Sequence, residues 1–105
     1  MILKNIEKSR QINLADLVSY NEGQIISRTL VQNQSLSITL FAFDAGEEIS
    51  SHSSGGDAMV TILDGSALIT IGDNEYTVTQ GQTIVMPAGV PHALKALEKF
   101  KMQLT

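Results

Sequence analysis

Cysteine and tryptophan are absent from this chain, and proline occurs only twice. Without cysteine, neither a disulfide framework nor a thiolate metal site can form. That composition suits a reducing compartment, so a cytoplasmic location is expected. Basic residues are also scarce, 7 Lys and Arg against 11 Asp and Glu, for a net charge of −4. A nucleic-acid binder would show a basic patch, and none is present. Long apolar runs are missing too. No stretch approaches the ~20 residues that cross a bilayer, and Ile2-Leu3-Lys4-Asn5-Ile6-Glu7-Lys8 lacks the apolar centre of a signal peptide. A soluble protein with no membrane and no nucleic-acid partner is therefore expected.

What is present fits one domain over residues 1–105. A chain this short buries roughly 60–65% of its unfolded surface, so association with a second copy would add stability. Asp44, Glu47, Glu48, Asp57, Asp64, Asp73 and Glu75 fall in a segment with no Lys or Arg. Most of these belong at turns, where carboxylates keep loops solvated. The sharper reading is an acidic rim that favours cations.

Taken in order, residues 1–20 show no sustained period, and Asn13 to Val18 reads as one helical turn capped by Asn13. Ile25–Val31 is rich in β-branched residues and reads as a strand. Leu36, Ile38, Leu40 and Ala42 then alternate with residues that become apolar at Phe41 and Phe43, so both faces of this strand look buried. Further strands are read at Ile49–His52, Ala58–Leu63, Ser66–Ile71, Glu75–Thr79, Thr83–Met86, His92–Ala96 and Phe100–Leu104. Asp64-Gly65 is read as a hairpin turn. About nine or ten short strands with closely spaced turns make an all-β sandwich or barrel.

Both histidines, His52 and His92, stand after glycine-punctuated turns at the edges of strands. They converge only if the sheet between them closes on itself. Gly46, five residues, His52 and then Gly65, followed by Gly81, five residues, Pro87, Gly89 and His92, resemble the two motifs of the cupins. The resemblance runs from Phe41 to Ala96. It implies a double-stranded β-helix, or jelly-roll barrel, with residues 41–96 as its core and residues 1–24 as a lead-in that covers a sheet edge or crosses to a partner. It also implies a homodimer, which unprotected edge strands would favour.

The departures from the family pattern bear on function. Metal-binding cupins carry a second histidine where Ser54 stands here and a glutamate where Ala58 stands, and Ala96 replaces a polar residue after the second motif. His52 and His92 remain as candidate metal ligands, with Asp57 as a third candidate. Neighbours on a strand point to opposite faces, however, so Asp57 is no automatic substitute for Ala58. Two imidazoles are one short of the usual three protein ligands, and they suit zinc, nickel, iron, manganese or copper without choosing among them. Metal-free acid–base chemistry would need phenolic or charged partners, and nothing places Tyr20 or Tyr76 beside a histidine.

Two function classes follow. One is a small-molecule binding module whose pocket is formed by His52, His92, Ser54, Ala58, Val60, Met86 and Leu94, with Phe41 and Phe43 as further wall candidates. The other, implied by the resemblance, is a metal-dependent oxygenase, isomerase or hydrolase acting on a small organic acid, sugar or carbonyl compound. Pro87 and Pro91 stiffen the loop that presents His92 in either case.

Overall fold

The computed structural model describes residues 2–105. Eight antiparallel strands account for nearly all of its regular structure. They are β1 (Ile25–Gln32), β2 (Ser37–Phe43), β3 (Glu48–His52), β4 (Ala58–Ile71), β5 (Asn74–Thr79), β6 (Thr83–Met86), β7 (His92–Lys95) and β8 (Phe100–Leu104). Alternation of apolar and polar residues, with β-branched side chains on the buried face, makes these segments strands. Between residues 2 and 25 the one regular piece is a four-residue 3-10 turn, Leu14–Leu17. The side-chain cap expected of Asn13 is not made; its backbone carbonyl accepts from the Asp16 amide at 3.0 Å instead.

The strands form two sheets that share β4. The first runs β1-β2-β8-β4-β6 and the second β3-β7-β4-β5. Residues 58–65 of β4 pair with β6 and β8, and residues 66–71 pair with β5 and β7. Asp64-Gly65 is therefore no hairpin turn, and the two strands read on either side of it are one. A hairpin needs its flanking strands to pair with each other, and here each half finds other partners. The chain bends through a β-bulge between Ile62 and Asp64 and passes from one sheet to the next. Gly65, at φ +72°, lies so close to the backbone of Lys99 that a Cβ would sit 2.1 Å from its carbonyl oxygen. No other residue fits there.

The inner faces of both sheets bury one core. The first sheet contributes Phe43, Val60, Ile62, Met86, Phe100 and Met102, and the second contributes Ala67, Ile69, Val78 and Leu94. Phe43 and Phe100 are fully buried and stack with ring centroids 4.4 Å apart. Each such side chain is worth about 1.5–3 kcal/mol on burial, and a stacked pair adds about 0.5–1.5 kcal/mol.

The lead-in segment bonds to the free edge of β1, where the Lys4 amide donates to the Leu30 carbonyl at 2.8 Å, and also lies over a face of its own chain's sheet. Val18, with Leu3, Ile6, Leu14, Leu17 and Tyr20, packs on Leu30, Leu40, Ala42, Ile26 and Ile38 of β1 and β2. That is why β2 looked buried on both sides. Polar ties hold the segment down. Lys101 donates to the Ala15 carbonyl at 2.7 Å, Asn5 to the Thr29 carbonyl at 2.8 Å, and the Tyr20 hydroxyl to the Asp64 carboxylate at 2.5 Å. Burial raises the Tyr20 pKa above its ordinary value, and the hydrogen bond and charge of Asp64 and the charge of Glu98 add to the rise. Asp44 behaves as turn carboxylates do. It accepts from the amides of Gly23 and Ala45, at 2.8 and 2.9 Å, and these bonds lower its pKa.

Candidate functional site

His52 ends β3 and His92 begins β7, and the two are direct cross-strand partners. Simple alternation would not bring them to one side. Ile49 pairs with Leu94 on the inner face, and His52, three residues on, should point outward. A register shift between Ile49 and His52 inserts an extra residue in β3. That bulge turns His52 back to the side of Ile49. The imidazoles then meet edge to face, with ring centroids 4.4 Å apart and planes at 72°.

Each ring is oriented by its own backbone. Nδ1 of His52 lies 3.0 Å from the Ser50 carbonyl, and Nδ1 of His92 lies 3.2 Å from the Val90 carbonyl. A carbonyl only accepts, so each Nδ1 carries a proton, and in the neutral form of the ring Nε2 is a bare acceptor. His92 is the one buried polar residue in the core, 3% exposed, whereas His52 is exposed. No buried side-chain nitrogen or oxygen lacks a hydrogen-bond partner among the described residues. Nε2 of His92 has no protein partner, so it must retain access to open space.

That space is a cavity of about 120 Å³ inside the barrel, open to solvent beside His52. Of the residues expected there, His52, His92, Ser54, Ala58, Met86 and Leu94 all line it. Val60 does not. It is fully buried beside the Ile84 and Leu104 backbones, one step deeper along β4 than Ala58. Phe41 forms wall as expected, while Phe43 is committed to its stack on Phe100. Ile49, Met102 and Leu104 were not anticipated. The last two could have been found from the alternation Phe100, Met102, Leu104 against Lys101 and Gln103, and Ile49 as an apolar residue in a polar stretch. The depression of about 300 Å³ beside Glu7, Arg10 and Asp16 is larger but far less apolar, and the one of about 420 Å³ beside Ile2, Leu3 and Ile6 is more open to solvent.

Two loops frame the site and are tied together. The Gly89 amide donates to the Ser54 carbonyl at 2.9 Å, and the Ala88 amide donates to Asp57 Oδ1 at 2.8 Å. The Val90 amide bonds back to the Pro87 carbonyl, and Gly89 at φ +74° makes this a type II turn. Asp57, a candidate third metal ligand, is thus a clamp between loops. Its carboxylate accepts from the Ala88 amide, and it is not part of the cavity wall that Ala58 lines. Among the described residues no three histidine, cysteine or carboxylate side chains gather as a metal site. The acidic residues supply no rim ligand, and neither Tyr20 nor Tyr76 lines the cavity. A catalytic centre with three protein ligands does not fit this donor set.

An antiparallel barrel whose two motif histidines face one small interior cavity belongs to the jelly-roll class. Residues 39–105 match the family described as the cupin domain, and the chain belongs to that family. A conserved protein of unknown function from Streptococcus pyogenes is 55% identical, with a TM-score of 0.96 over 99% of this chain and 91% of that one. A cupin superfamily protein from Desulfitobacterium hafniense is 35% identical, with a TM-score of 0.94 over 100% of this chain and 97% of that one. An uncharacterized protein from Streptomyces coelicolor is 31% identical over 72 residues, 69% of this chain and 67% of its own.

Proposed function

We propose that this chain is a binding module that takes a small molecule into the cavity bounded by His52 and His92. The observation that carries this reading is the pairing of an apolar cavity with two imidazole acceptors whose orientation the backbone sets. Small-molecule sites combine an apolar lining with a few fixed polar groups in this way. A ligand-observed NMR screen of the full chain tests it. Hits must lose their signal changes in a variant whose cavity is filled, Ala58→Leu, provided that variant keeps the wild-type amide spectrum elsewhere. A screen without hits would remove the reading.

A metal centre is the second reading, and one observation favours it. Metal-bound histidines usually donate their other ring nitrogen to a carbonyl or carboxylate, as both Nδ1 atoms do here. His52 and His92 would supply two neutral donors, and the remaining positions would fall to water or a ligand. Such a metal would supply Lewis-acid or oxygen chemistry, as the family alternative requires. Elemental analysis of untagged protein, alongside His92→Ala, decides. Near-stoichiometric metal lost in the variant would put this reading first.

We also propose a cytoplasmic homodimer. Met59 and Val85 are direct cross-strand partners on the outer face of the first sheet, 41% and 49% exposed, where the lead-in segment does not reach. Light scattering should give a dimer mass, and Val85→Lys should shift it toward the monomer.

A further inference from the structure

Resting on the binding reading above, we infer that the ligand is an uncharged molecule of one apolar ring bearing a hydroxyl group, the phenol class. Size comes first. A cavity of about 120 Å³ is slightly smaller than the ~150 Å³ engineered cavity that holds one benzene. One six-membered ring with a small substituent fills it, with the substituent toward the solvent-facing side.

Every polar group on the wall is an acceptor. In the neutral form of each imidazole Nε2 is bare, because the Nδ1 proton is given to a carbonyl. Ser54, the one hydroxyl on the wall, donates to the Gly56 carbonyl at 2.7 Å and keeps only lone pairs for a ligand. A ligand that brought only acceptors would cover Nε2 of the buried His92 and leave it unpaired, which costs more than the bonds are worth elsewhere. The ligand must bring a hydrogen.

Charge removes most donors. No Lys or Arg lines the cavity, and Asp57 stands in the loop that frames it. A carboxylate or phosphate would lose its hydration with no lysine or arginine to replace it. An ammonium would meet no carboxylate inside. A hydroxyl remains. The ring itself is favoured by the thioethers of Met86 and Met102 and by Phe41 on the wall, since sulfur and aromatic edges attract a π face.

The experiment is a titration of the full chain at pH 8 with phenol, anisole, toluene and benzoate, followed by amide shifts in two-dimensional NMR. Phenol should bind, with the largest shifts at Ala58, His92 and Met102. Anisole and toluene should bind at least ~5-fold more weakly, and benzoate should not bind at the highest concentration used for phenol. His52→Ala, at an exposed residue, should weaken phenol ~3–10-fold and toluene by clearly less. If toluene or anisole equals phenol, or benzoate exceeds it, this inference is overturned while the cavity stands as a binding site. If none of the four shifts the cavity residues but other members of a broad fragment set do, the class is wrong and the binding reading survives. If nothing binds there at all, both fall.

Discussion

On one face of the first sheet, Phe43, Phe100 and Met102 meet the regular strands of the second sheet. On the other face, Leu40 and Ala42 meet a segment whose one regular piece is a four-residue turn. Both faces bury apolar residues completely. They differ in what covers them. A strand's own backbone groups are satisfied by its ladder, so it can cover a face with side chains alone. An irregular segment must find partners for its polar groups one by one. That is what Lys101 does for the Ala15 carbonyl, the Thr29 carbonyl for the Asn5 side-chain amide and the Leu30 carbonyl for the Lys4 amide. The inner core is held by packing and the outer one by packing plus individual polar ties.

Mutations should separate the two. Phe43→Ala removes a stacked, fully buried ring and should cost about 3–5 kcal/mol, read as a fall in the urea midpoint of the whole protein. Val18→Ala trims the outer core by two methyl-sized groups and should cost about 1–2 kcal/mol. Hydrogen exchange should show that loss as faster exchange of the Lys4 amide, which opens when the lead-in lifts, and by a matching factor at Val60 and Ile69, which open only with the whole barrel. Tyr20→Phe removes the bond to Asp64 and should cost about 0.5–1.5 kcal/mol near neutral pH. Its pH dependence has a definite sign. Tyr20 keeps its proton in the folded protein at pH values where the unfolded chain has lost it. The wild type therefore has this stabilisation in full below the ordinary tyrosine range and loses it as the pH rises beyond. The variant lacks that extra alkaline loss, so the two denaturation curves should converge at high pH. Smallest is Asp57→Ala. It should change stability by no more than about 1 kcal/mol yet speed exchange of the Ala88 amide, because that bond ties the loops around the cavity.

Strand positions and the paired glycine–histidine motifs were legible because period-two alternation and turn residues are local signals. The apolar face of β2 that the lead-in covers was half legible. Phe41 and Phe43 beside Leu40 and Ala42 announced two buried faces, but nothing local said which segment supplies the second cover. Asp64-Gly65 misled for a physical reason. A glycine at positive φ serves a bulge as well as a hairpin, and only the partners of the flanking residues, Phe100 and Thr79, decide between them. The bulge at Ser50-Ser51 has no residue signature at all. Hence a motif could say that His52 matters, while alternation alone would have pointed it away from His92.

The sharing of β4 has a consequence for how the molecule comes apart. Its 14 residues run through both sheets as one strand, and the ladder on each side of Gly65 is anchored by the same length of backbone. Neither sheet can peel away while the other stays intact, since loosening one frees the end of the strand that holds the other. The barrel should melt as a single unit, with amides at Val60 and Ile69 opening at the same free energy. A chain of this size, built as two sheets, unfolds like one.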